Sequence, residues 1–183
     1  MTTTHPGQHL CLSCGLCCDG TLFRHVRLGT GDDPKALRAG GVPVRASRTT
    51  PPVLRVLQPC AALCADRSCR IYAERPAQCR AFACAVLLDL EGGRISRVAA
   101  RRLVRQGRQR AERVRELLQA LGNRDEHLSL DERFQRTRRD LEMGSAAPAA
   151  GELFAELGLA MHRLNLLAES RFHTRPKPPA EPR

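Results

Sequence analysis

The chain has 183 residues, 42% of them hydrophobic but only 3% aromatic, with no Trp. That suits one domain with tails, or a small domain with a helical extension, and it leaves too few rings for a protein that reads nucleic acid by stacking bases. The formal charge of +11 is spread over both halves and is almost all Arg, Lys35 and Lys177 being the only lysines; without a basic stripe, a nucleic-acid partner is not expected.

The opening MTTTHPGQHL has neither a basic flank nor an apolar run, and no stretch of about 18 apolar residues follows. The expectation is a cytoplasmic protein, not associated with membrane, whose thiols stay reduced.

In chain order, residues 1–10 read as a disordered lead and the cysteine run at 11–18 as an irregular loop. Thr21 to Leu28 alternates loosely and predicts a strand. Asp32-Asp33-Pro34 predicts a helix start, with an Asp cap and Pro in the first turn, and Gly40-Gly41 its end. Val53 to Leu57 predicts a second short strand. Ala85 to Leu90, followed by Glu91-Gly92-Gly93, reads as the first arm of a hairpin with Ile95 to Val98.

Beyond Cys84 there are no cysteines, and the pattern becomes helical. Ala100, Val104, Gly107, Ala111, Val114, Leu118 and Leu121 recur at alternating steps of four and three, the stripe of an amphipathic helix. Gly122-Asn123 ends it. Ser129 and Glu132 form a capping-box pair for a second helix with the stripe Leu130, Phe134, Thr137 and Leu141.

Met143 to Gly151 is a linker. A third helix carries Leu153, Leu157, Ala160, Leu164 and Leu167, widened by Phe154, Leu159, Met161 and Leu166. The tail from Pro176 is Pro-rich and reads as disordered. The expected fold is mainly α: a small loop-rich, metal-bound cysteine domain with a few short strands at 11–96, a C-terminal helical hairpin or three-helix segment at 97–172, and a tail at 173–183.

Nine cysteines, an odd number, fit disulfide pairing badly and metal binding well. Cys11-x2-Cys14-x2-Cys17-Cys18 brings three sulfurs together through successive tight turns. Gly15 keeps the backbone free to curl, and backbone N–H groups can offset thiolate charge. This spacing begins the bacterial ferredoxin run, but the x3-Cys-Pro completion is absent, so a fourth ligand comes from Cys18 or from far along the chain.

The second set is Cys60, Cys64, Cys69, Cys79 and Cys84. It has no Cys-x2-Cys step, so it does not read as a zinc ribbon. Two zinc sites can still be assembled from nine sulfurs, and the bland reading of Cys64 and Cys84 is as small buried hydrophobes. His5, His9 and His25 lie near the first run and imidazole can bind metal; His162, among apolar helix positions, reads as structural. No G-x-G-x-x-G or G-x4-G-K-[ST] loop is present for a nucleotide.

CLSCGLCC followed by QPCAALCADRSCRIYAERPAQCRAF resembles the YkgJ-like CxxCxxCC proteins of bacteria, a zinc- or iron-chelating domain family often described as containing an Fe–S cluster. The resemblance covers roughly residues 8–90. It implies metal ligands at Cys11, Cys14, Cys17, Cys18, Cys60, Cys69 and Cys79, with Cys84 matching less firmly and Cys64 an extra. It also picks out Tyr72, Arg75 and Arg80 around Pro76, where they are expected to face the bound group. Tyr72 is expected to shield it, the alternative being a plain core tyrosine. Arg75 and Arg80 are expected to balance thiolate charge, the alternative being solvated or carboxylate-paired arginines.

The expected function is an iron–sulfur protein, 4Fe–4S in type, with a redox or accessory role and an unidentified protein or redox partner. The alternatives are a zinc-binding structural or interaction module and a metal-trafficking factor. Flagellin lysine methylases have a similar cysteine module, but no cofactor domain for methyl transfer is visible here. In every case a metal joining residues 11–18 to 60–84 closes a loop of about 40 residues and supplies stability that the apolar content of this half does not.

Overall fold

The computed structural model describes residues 8–144 and 148–173. Most of the predicted lead and tail, and His5 with them, lie outside that range. About half of the chain is helical, with one small sheet, so the mainly α class holds.

Helix α1, Gln8–Cys14, is the first element among the described residues. The run at 11–18 is therefore helical in its first half and becomes irregular only after Cys14. Leu10 explains the difference: it is buried in a cluster with Leu16, Val86, Ala100, Val104, Leu167 and Phe172, and that packing holds the turn. After Cys14 the chain turns at Gly15, whose φ is +71°.

Strand β1, His25–Arg27, is the core of the predicted Thr21–Leu28 strand. Helix α2, Pro34–Ala39, starts where the sequence placed it: Asp33 accepts from the N–H groups of Lys35 and Ala36, and Gly40 closes it. Strand β2, Val44–Ala46, has no counterpart among the predicted elements. Strand β3, Leu54–Leu57, lies between β1 and β2 and is antiparallel to both. Val26 and Val44 both pair with Val56, and with Leu37, Val42 and Ala62 they form a small aliphatic core.

The hairpin expected around Glu91-Gly92-Gly93 does not form. Ala85–Glu91 is helix α4, after a short helix α3, Ala77–Ala81. A run of consecutive apolar residues fits helix or strand equally; here Val86 and Leu87 are buried while Leu88 is exposed, as on a helix lying across a core. Ile95 packs against the cluster around Leu16 instead of pairing with a strand.

Helix α5, Arg97–Ala120, buries Ala100, Val104, Gly107, Ala111, Val114, Leu117 and Leu118, and Ser96 caps it. Leu121 is packed at its end. Helix α6, Leu130–Glu142, begins with the predicted reciprocal cap between Ser129 and Glu132. Helix α7, Pro148–Leu167, runs into a π-helical turn, Ala168–Phe172.

Leu157, Met161 and Leu164 of α7 join Val114, Leu117, Leu118 and Leu130 in one core, edged by Phe134 stacked on Phe154 at 5.6 Å between ring centroids. Leu159 and Leu166, expected to widen the buried stripe, are exposed, as is His162. Among the described residues no helix is long and apolar enough to cross a membrane.

The cysteine region and the helices pack as one body across residue 96. A Cβ on Gly107 would lie 2.8 Å from Leu16 Cδ1 and 3.2 Å from the Phe172 ring, so α5 needs glycine there to seat Leu16. Leu130 donates its N–H to the Gly20 carbonyl at 2.9 Å, which joins the same loop to the start of α6.

Candidate metal centre

Cys11, Cys14, Cys17, Cys18, Cys60, Cys69, Cys79 and Cys84, all free thiols, line one cavity of about 170 Å³. Cys64 is absent from its wall. The cavity lies between the cluster around Leu16 and the aliphatic core of the sheet, and Val26, Val56, Ile71, Phe23 and Phe82 form much of its apolar lining.

The sulfurs fall into two quartets. Cys14 and Cys84 pack against Leu16, Val86 and Val104. Cys60, Cys69 and Cys79 pack against the core of Val26, Val42 and Val56. The electrostatic neighbours divide in the same way. Cys11, Cys14 and Cys17 each feel Cys84, whereas Cys18 feels Cys60, Cys69 and Cys79. The first quartet is Cys11, Cys14, Cys17 and Cys84; the second is Cys18, Cys60, Cys69 and Cys79.

Burial pushes the thiols up. Cys11 and Cys79 rise to about 11, and Cys14 and Cys18 to about 12, with the neighbouring sulfurs adding to the effect. Cys17, Cys60 and Cys84 are also raised, again mainly by burial. Removing a thiolate from water costs more than its neighbours return, so bare thiols keep their protons at neutral pH.

The residues nevertheless suit a thiophilic metal. They supply eight sulfurs, backbone donors and nearby cations. The Leu16 N–H stabilises the Cys14 thiolate, and Ala62 N–H donates to Cys60 Sγ at 3.5 Å. Arg70 and Arg75 favour the charged forms of Cys60 and Cys79. The sulfurs stand around the cavity without converging: among the described residues no three Cys, His, Asp or Glu side chains are close enough to hold a single ion as they stand.

Arg75 lies between the quartets, since its charge favours the thiolate of Cys11 in the first and of Cys79 in the second. Its guanidinium carbon lies 3.5 Å from the Tyr72 ring centroid, a cation–π contact, and its Nε donates to the Tyr72 carbonyl at 2.8 Å. Both residues line the cavity.

Arg80 does not line it. It is exposed, donates to the Arg75 carbonyl and lies 3.9 Å from Asp32. His25 reaches the wall, and burial together with Arg55 and Arg27 lowers its basicity.

Two supports were not visible in the sequence. Asp32, next to the α2 cap, accepts from Ala77 N–H at 2.7 Å and so caps α3, which carries Cys79 and has no cap of its own. Gln78 of α3 accepts from Arg27 N–H of β1 at 2.6 Å.

The second support is a buried carboxylate. Asp19 is paired with Arg67 and, at 3.0 Å, with Arg115 of α5. Arg67 Nε donates to the Cys14 carbonyl at 2.9 Å, and a Cβ on Gly15 would lie 2.8 Å from that nitrogen. Arg67 therefore closes over the first cysteine turn, and glycine is what lets it approach.

The profile of the CxxCxxCC family, described as "Putative zinc- or iron-chelating domain", matches residues 10–112. The chain belongs to this family. The match covers both quartets and extends into α5 as far as Glu112, beyond the helix turn that seats Leu16. Searches of curated proteins and of solved structures returned no significant match.

Proposed function

We propose that this chain is an iron–sulfur protein in which Cys11, Cys14, Cys17 and Cys84 hold a 4Fe–4S-type cluster, serving electron transfer or the redox chemistry of a partner protein. The observation that carries this reading is the supply of ligands: three sulfurs from a Cys-x2-Cys-x2-Cys turn, and a fourth, Cys84, from a remote segment in the same quartet. Bacterial ferredoxin sites take their ligands in that way.

The cavity is a second support. A lone zinc ion draws four sulfurs to about 2.3 Å from one point, whereas no three donors among the described residues stand that close together and all eight sulfurs line one shared space of about 170 Å³. Such a cluster supplies one-electron redox chemistry when bound. The chain's own part is to seat it: Leu16, Val104 and Phe172 keep water from one wall, backbone N–H groups aim at sulfur, and Arg75 balances negative charge from beside Tyr72.

Anaerobic purification with a visible spectrum, and iron, sulfide and zinc counted on the same sample, tests this. A brown protein with matching iron and sulfide is expected. A colourless protein holding zinc without sulfide overturns the reading and makes the cysteine region a structural zinc module.

A further inference from the structure

Eight sulfurs are twice what one tetrahedral ion or one cubane cluster takes from protein, and Cys17 and Cys18 provide the dividing point. Cys17 is grouped with Cys14, Cys84 and Cys11, although it also feels Cys18 next to it. Cys18 is held on the other side, its carbonyl accepting from Cys60 N–H at 2.7 Å. Its partners come from three places: Cys60 just after β3, Cys69 in a bridge with Leu63, and Cys79 on α3. Each of those three packs on the sheet core and not on the cluster around Leu16.

We infer that Cys18, Cys60, Cys69 and Cys79 form a second, separate centre that takes its own sulfide-bridged iron cluster, adjoining the first across the Cys17–Cys18 peptide bond. The inference rests on the proposed iron–sulfur reading of the first quartet. The spacing favours a cluster over a lone ion here too, because no three donors among the described residues close on one point. As each Fe–S bond forms, its thiol releases a proton to solvent. The charge left on the sulfurs is countered by Ala62 N–H at Cys60 and by Arg70 and Arg75.

The test uses the full chain, reconstituted anaerobically with equal amounts of ferrous and ferric iron and with sulfide, which together supply the oxidation level of a resting cubane, as wild type, Cys69→Ser and Cys84→Ser. The wild type is expected to hold about eight irons, two clusters' worth, and each variant about half. The reduced wild type is expected to show an electron paramagnetic resonance signal broadened by coupling between clusters, which simplifies in Cys84→Ser. The wild-type count decides the matter even if a variant fails to fold.

About four irons with no zinc in the wild type overturns the second centre and leaves the proposed function standing. About four irons and one zinc, the zinc lost in Cys69→Ser, overturns its assignment as a cluster. A wild type that takes up no iron overturns the function itself.

Discussion

The two ends of the molecule are held together by different means. The helical end has a core of Val114, Leu117, Leu118, Leu130, Leu157, Met161 and Leu164, an aromatic pair at its edge and a complete capping box. The cysteine end has a sheet of three- and four-residue strands over Val26, Leu37, Val42, Val44, Val56 and Ala62. A core of that size gives little stability unaided, and small domains of this kind usually depend on metal or disulfides. The helical end has one continuous hydrophobic core, whereas the cysteine end has a small one, a few long-range polar contacts and the cluster around Leu16 that it shares with α5.

The sharpest way to break the comparison is to remove the metal. Chelation, or Cys14→Ser, is expected to lower the stability of the cysteine end so that it melts in a separate transition, well below the one seen in the helical circular dichroism. A single transition in which helices and sheet melt together would show that the ends share one source of stability.

The next effect is at Asp19. Asp19→Ala takes the buried carboxylate from Arg67 and leaves Arg115 paired with Glu112; it is expected to cost about 3 kcal/mol, read as a lower denaturant midpoint, and a change under about 0.5 kcal/mol would mean that solvent already screens these charges.

Gly107→Ala tests the joint between the ends. The added methyl would meet Leu16 and Phe172, and the expected loss is about 1–3 kcal/mol.

A smaller effect follows from pH. In the metal-free, reduced protein the unfolded chain loses thiol protons from about 9, whereas folded Cys11 and Cys79 hold theirs to about 11 and Cys14 and Cys18 to about 12. Above pH 9 the folded state therefore binds more protons than the unfolded state, and stability falls as pH rises. The melting temperature is expected to be flat with respect to these thiols up to pH 9 and to fall beyond it. The smallest change is expected from Cys64→Ser, outside the cavity wall: metal content unchanged and stability within about 0.5 kcal/mol.

Legibility in the sequence follows the same division. The stripe from Ala100 to Leu118 and the Ser129–Glu132 cap are local patterns, and the helices form where those patterns place them. Helix α1 was hidden because close cysteines suggest a loop, while the burial of Leu10 that holds the helix depends on residues as distant as Phe172. Ala85–Leu90 is ambiguous by pattern alone, and only its packing settles it as a helix.

The cysteine types and spacings were enough to point to metal. Their partition was not legible, because it depends on how residues 60–84 fold back past neighbouring Cys17 and Cys18. Asp19, Arg67 and Arg115 gave no local signal either, since they meet only in the folded chain.

The seat that α5 makes for Leu16 has a consequence for biosynthesis. Ribosomes extend chains from the N-terminus, so the first four cysteines emerge well before Gly107 and Arg115, the residues that give their loop its place. Until then the thiols face the surrounding solution unprotected. Oxidants present during translation reach them more easily than those met after folding, when the loop is seated on α5.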